Sequence, residues 1–121
     1  TFLKAKVGYG KKFLDYESII KEMITYISQN SQYINSIVKS YASDKFYSFM
    51  FSYFYTKVGA LLKNHNVAGV EITRYISVLS ANELNFWVSN KRKEKSTSLI
   101  KRLTTVWFYL VNQYQSDLSR R

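Results

Sequence analysis

The chain contains no proline and only four glycines, so little in it interrupts a helix. Proline destabilises a helix interior by ~3 kcal/mol and glycine by ~1 kcal/mol relative to alanine. Apolar residues also recur at intervals of three and four, the spacing that places them on one face of a helix. Such a chain is expected to form long helices joined by short polar turns. The sequence therefore predicts an all-α fold, an antiparallel bundle of about five helices in which the last two form a dimerisation bundle.

Polar residues suited to helix caps divide the chain. Asp15 is a candidate N-cap of the first helix, because its carboxylate can accept hydrogen bonds from the free amides of a first turn. Gly8 and Gly10 precede it, so residues 1–14 are expected to be a short helix or irregular lead-in, and 15–121 the helical domain. Later helices are expected to begin at Asn30 or Ser31, at Ser43 or Asp44, near Val70, and at Ser96 or Thr97.

Basic residues give the chain a formal net charge of +10. They concentrate near the start, in the polar stretch 91–95 and at Arg120 and Arg121, rather than along one helical stripe. Such a surface attracts phosphate or anionic partners through a long-range field. The distribution favours a solvated, solubilising surface, with dedicated nucleic-acid binding as the alternative.

Catalytic residue patterns are missing from the sequence. There is no cysteine, and the one histidine, His65, lies in a predicted turn between Asn64 and Asn66. The eight acidic residues are scattered, so neither a paired-carboxylate site nor a metal site has a visible candidate. We expect no enzymatic activity, no catalytic or metal-binding residues and no cofactor.

No apolar run reaches the ~18 residues that a membrane-spanning helix needs, so no membrane association is expected. Together with the absence of cysteine, this favours a cytoplasmic location. The chain begins with Thr1 and lacks a signal-peptide pattern, and it is expected to be a fragment of a longer protein.

Seven aromatic residues fall between Phe46 and Tyr55, on the predicted third helix. Apolar side chains point all around this half of the helix, so we expect other helices to surround it. The aromatics are either plain core or core that also lines a pocket for a small apolar or aromatic effector. The candidate ligand-binding residues are Phe49, Met50, Tyr53, Phe54 and Phe86.

The last two predicted helices each carry a strong apolar face and one tryptophan. An antiparallel pair inside one chain explains these faces, and so does an isologous four-helix bundle with a second copy. Periodicity alone leaves both alternatives open. The candidate dimer-interface residues are Tyr75, Leu79, Trp87, Leu103, Trp107 and Leu110.

Residues 75–88, with the sequence YISVLSANELNFWV, end in a tryptophan and an aliphatic residue. A polar turn and a serine-capped last helix, Ser96 to Leu103, follow them. From Asp15 to Tyr114 the chain resembles the C-terminal regulatory domain of the tetracycline-repressor (TetR) family of transcription repressors. Ser80 and Ala81 stand where that family usually has glycines.

The resemblance implies a homodimer that binds an effector beside its aromatic helix and contacts DNA only through an N-terminal helix-turn-helix absent from this chain. Residues 1–14 would then be a remnant of the connecting helix. Two other hypotheses remain open. One is a basic helical module that binds nucleic acid, and the other is a structural or adaptor bundle with neither ligand.

Overall fold

The computed structural model describes the backbone of residues 2–39, 43–64 and 69–119, and the side chains of 15–39, 44–64 and 69–118. All regular structure in these ranges is helical, which confirms the predicted all-α bundle. The helices are α1 Phe2–Gln29, α2 Ser31–Val38, α3 Ser43–Asn64, α4 Val70–Ser89 and α5 Ser96–Ser119. None of the helices within these ranges combines the length and the apolar character needed to cross a membrane. His65 lies outside the described residues.

The first helix is longer than the sequence predicts. Asp15 lies inside α1, so its assignment as an N-cap is wrong, and Gly8 and Gly10 are helical as well. A glycine lowers helix stability by only ~1 kcal/mol, which weakens a helix without having to end it. No helix boundary therefore separates residues 2–14 from the segment that follows.

The junction between α1 and α2 occurs where the sequence predicts it, with Asn30 at the N-cap position. The Asn30 side chain does not cap α2, however. Its Nδ2 instead donates a 2.9 Å hydrogen bond to the Tyr26 carbonyl oxygen of α1. Asn30 therefore satisfies the end of the preceding helix, and its backbone carbonyl accepts the first bond of α2, from the Ile34 amide at 2.9 Å.

Two helix pairs build the core, because α3 packs mainly against α4 and α1 mainly against α5. The buried side chains of α1, α3 and α5 are spaced three or four residues apart, as one-sided helices require. The largest buried side chains on these helices include Tyr16, Ile20 and Ile27 of α1, Met50, Phe54 and Leu62 of α3, and Leu99 and Trp107 of α5.

Trp107 joins the two pairs at the centre of the bundle. Its ring centroid lies 5.9 Å from that of Tyr16 on α1 and 5.6 Å from that of Phe54 on α3. Both contacts are edge-to-face, the geometry that aromatic quadrupoles favour. The indole Nε1 donates a 2.8 Å hydrogen bond to Ser80 Oγ on α4. One side chain thus contacts all three other long helices.

The aromatic helix α3 is not surrounded on every side. It buries one stripe, Phe46, Met50, Phe54, Val58 and Leu62. Phe49 and Tyr55 lie on its exposed side, so the expectation of complete burial is wrong. The physical reason is that a bundle this small covers one face of α3, and the extra aromatics pack against each other or against α1, as Tyr26 and Phe49 do at 5.3 Å.

Gly69 precedes α4 and lies directly against the C-terminal half of α5. Its φ of 155° belongs to the region that side chains disfavour, and a β-carbon built there would approach the Tyr114 hydroxyl to 2.6 Å. Glycine is therefore required here both by the backbone and by the neighbouring ring.

Candidate functional site

The five predicted ligand-binding residues do not share one environment. Met50 and Phe54 are completely buried core residues, whereas Phe49 and Phe86 are exposed. The Tyr53 hydroxyl donates a 2.7 Å hydrogen bond to the Ile19 carbonyl oxygen, which fixes it against α1. Met50 and Phe54 fill the interior of the bundle, and their role in binding an effector stays a prediction. An effector cavity beside Tyr53 remains a prediction.

The predicted interface residues also divide. Trp87, Leu103 and Trp107 are buried within the single chain, so they are core residues and cannot contact a second copy directly. Their assignment to an interface is wrong, because a strong apolar stripe on each helix is already covered by α1 and α3. Tyr75 is exposed, and Leu79 and Leu110 are half-buried. These three remain available for association.

Helices α4 and α5 run antiparallel. Ser80 contacts Trp107, and Glu83, one turn further along α4, pairs with Arg102, one turn earlier on α5. These two contacts set the register of α4 against α5. The exposed side chains of one helix can therefore be matched with their neighbours on the other. Leu79 lies one turn before Glu83 and Val106 one turn after Arg102, so the antiparallel order places them side by side.

An apolar surface follows this alignment. We call it the α4–α5 face and define it by Tyr75, Leu79 and Phe86 of α4 and Val106, Tyr109 and Leu110 of α5. Phe86 is 67% exposed, Tyr109 65% and Tyr75 57%, and the other three are half-buried. Single exposed apolar residues are ordinary, but neighbouring ones on two packed helices form a patch that is favourable to cover.

Two ion pairs next to this face share one arginine. Arg102 binds Glu94 through two hydrogen bonds, Nη2 to Oε1 at 2.8 Å and Nε to Oε2 at 3.2 Å, and Glu83 through Nη1 at 3.0 Å. The hydrogen bonds from Arg102 hold the pKa of Glu94 below its ordinary value, and those to Glu94 and Glu83 hold the pKa of Arg102 above its own. The pairs are partly exposed, so their contribution to stability is small. Their main effect is to pair Arg102 next to the α4–α5 face, with one carboxylate charge in excess.

The turn after α4 ends the helix without a glycine. Lys91 and Arg92 both have positive φ, 59° and 54°. The Arg92 amide donates to the Trp87 carbonyl oxygen at 2.8 Å and the Lys91 amide to the Val88 oxygen at 3.1 Å. These two bonds are the Schellman arrangement of a helix C-terminus. The sequence predicts a polar turn at this place but not its left-handed backbone, because a lysine at the left-handed position gives no glycine signal.

The Trp87 side chain contacts the same turn at two residues. Its Nε1 donates a 2.7 Å hydrogen bond to the Glu94 carbonyl oxygen, and the Arg92 guanidinium lies 5.7 Å above its ring centroid. A cation over an aromatic face is stabilising by ~0.5–2 kcal/mol. The buried tryptophan of α4 therefore organises the basic turn rather than an interface.

Comparison of the chain with protein-family models, with curated proteins and with solved structures found no match.

Proposed function

We propose that this chain is a cytoplasmic regulatory domain of a bacterial transcription repressor of the TetR type, which acts by homodimerisation and effector binding and not by catalysis. The α4–α5 face is the observation that carries the proposal. It supports the dimerisation part directly, and the aromatic residues of α3 support the effector part through sequence resemblance alone.

The chemistry of the α4–α5 face suits a second copy of itself. Two antiparallel helices that meet their symmetry mates form a four-helix bundle, in which each apolar face covers the other. Aromatic side chains such as Phe86 and Tyr109 supply much of the energy in protein interfaces. Because Arg102 is already paired with Glu83 and Glu94, bringing two such faces together does not bury that charge unpaired.

The test is the mass of the chain in solution, measured by sedimentation equilibrium and light scattering over a range of concentrations. We expect a dimer of twice 14.3 kDa that dissociates on dilution. The double variant Phe86→Glu with Tyr109→Glu should weaken association roughly a hundredfold, because each interface anchor is replaced by a charge that dimerisation would bury.

The matched control is Tyr33→Glu on α2, where the tyrosine is 64% exposed but is not part of the α4–α5 face. It should leave the dimer intact, and circular dichroism should show all variants to be helical. A monomer at every concentration, or equal weakening by Tyr33→Glu, contradicts the proposal. The adaptor alternative predicts that monomer, and the nucleic-acid alternative predicts binding to DNA that falls steeply with salt.

A further inference from the structure

A second surface of the chain has the chemistry of an anion site. It is a cavity of about 400 Å³ between the C-terminal end of α2 and the turn after α4. Among the described residues it is lined by Asn35, Val38, Lys39, Val88, Ser89, Lys91 and Arg92. Three of these are cationic and none is acidic. The cavity lies within the 300–1,000 Å³ range of small-molecule sites.

Arg92 is held in this cavity by its own backbone and by Trp87. Its left-handed φ and its amide bond to the Trp87 carbonyl oxygen fix the main chain, and its guanidinium stacks over the Trp87 ring. The side chain is therefore positioned before any ligand arrives. Preorganisation of this kind lowers the entropic cost of binding.

Two nitrogens of the Arg92 guanidinium lack an acceptor. Its Nε and Nη2 atoms are buried and make no hydrogen bond within the part of the chain that the structure describes. Buried donors without partners are rare in folded proteins, because each has lost its hydrogen bonds to water without replacement. Arg102, only ten residues further on, has carboxylate partners for all three of its nitrogens. Unlike Arg102, Arg92 therefore has two buried donors that an external acceptor would satisfy.

Helix termination does not use these positive charges. Cations near a helix C-terminus usually complement free carbonyl groups. Here the Trp87 and Val88 carbonyls already accept the amides of the Schellman turn, and the Lys39 amide bonds to the Asn35 carbonyl of α2. Lys39, Lys91 and Arg92 thus converge on one cavity from two helix ends without an acid to balance them.

The donor geometry selects the ligand. The Nε and Nη2 atoms of arginine form a fork that matches two oxygens of a carboxylate or phosphate. Three cations with no lining acid favour the higher charge of a phosphate dianion. We infer that the cavity binds a phosphate group, with Arg92 as the forked donor and Lys39 and Lys91 as the balancing charges. This site goes beyond the proposed dimerisation and does not require a second copy.

The test titrates the 121-residue chain with inorganic phosphate at constant ionic strength, by calorimetry and by tryptophan fluorescence, since Trp87 contacts Arg92. Saturable binding is expected. Arg92→Gln should weaken it at least tenfold, and Arg92→Lys should weaken it too, because lysine keeps the charge but loses the fork. Lys93→Gln is the matched control, as it removes the same charge from the same turn without lining the cavity.

If the Arg92 variants fail to fold, Lys39→Gln provides a second test. It removes a lining charge on the α2 side of the cavity and leaves the turn after α4 unchanged. Glycerol phosphate and phosphatidylcholine vesicles with or without phosphatidic acid then distinguish a free phosphate ester from a lipid headgroup, and Arg92-dependent binding of either supports the site. Absence of saturable binding to all of these overturns it. Equal weakening by Lys93→Gln, or binding only to a DNA duplex, also overturns it, because both indicate diffuse charge attraction.

Discussion

Single side chains decide which surfaces of this chain are available to a partner. The sequence places Trp107 on an apolar stripe, but it does not show whether that stripe is covered by the same chain or by another. In the structure the same chain covers this stripe, and the Ser80 hydroxyl accepts a hydrogen bond from the Trp107 indole N–H inside the core. Ser80 thus supplies the hydrogen-bond partner that a buried tryptophan needs.

Replacing Ser80 with alanine tests this contact. The substitution leaves the Trp107 N–H buried without an acceptor, so the free energy of unfolding should fall by ~1–3 kcal/mol in urea denaturation at pH 7. The control Ser52→Ala, on an exposed position of α3, should change it by less than about 0.5 kcal/mol. If the two variants are equally stable, the hydrogen bond does not support the core.

At the scale of elements, periodicity predicts helices better than it predicts their ends. The second to fifth helices begin within a few residues of the expected positions, because short polar or glycine-containing turns separate the apolar stripes. The start of α1 was missed, since Asp15 and two glycines suggest a break that the helix passes through. The left-handed turn at Lys91 was missed because the residue type that usually marks it is absent.

The backbone of Lys91 offers a stabilising substitution. A non-glycine residue with φ near 59° is strained by roughly 1 kcal/mol, which glycine avoids. Lys91→Gly should therefore raise the free energy of unfolding by ~0.5–1 kcal/mol, measured by thermal and urea unfolding. Lys93→Gly, in the same turn but without positive φ, should lower it or leave it unchanged, because glycine only adds freedom to the unfolded chain. A destabilised Lys91→Gly would contradict the strain.

At the scale of the whole molecule, the bundle divides its apolar surface between an interior and exposed patches, of which the α4–α5 face is one. Composition and spacing predict how much apolar surface there is, and the fold class follows from them. They cannot say which helix covers which, since α3–α4 and α1–α5 pairing joins residues far apart in the chain. For this reason some predicted interface residues, such as Trp87 and Trp107, lie in the core, whereas others, such as Tyr75, lie on the exposed α4–α5 face.

Buried tyrosines make the fold sensitive to alkali. Burial, with the nearby charge of Asp15, raises the pKa of Tyr16 to about 12, and burial also raises the pKa of Tyr53. In the unfolded chain the pKa is about 10, so the stabilisation is complete below pH 10 and is lost as pH rises towards 12. The loss should be ~1.4 kcal/mol per pH unit for each such tyrosine.

Tyr16→Phe keeps the ring against Trp107 and removes one of these phenols. Urea titrations between pH 8 and about 12 should therefore show a shallower alkaline loss than in the wild-type chain. Tyr33→Phe, at an exposed position of α2, is the matched control substitution. Identical slopes for Tyr16→Phe and the wild type would contradict the assignment.

Position 69 meets two independent demands, one from its own main chain and one from the ring of Tyr114. A smaller residue at position 114 would remove only the steric contact with the ring. Substitution of both positions would still leave a side chain at the unfavourable φ of residue 69. In a search for relatives of this chain, the glycine before α4 is consequently a better alignment anchor than the interchangeable apolar residues of the core.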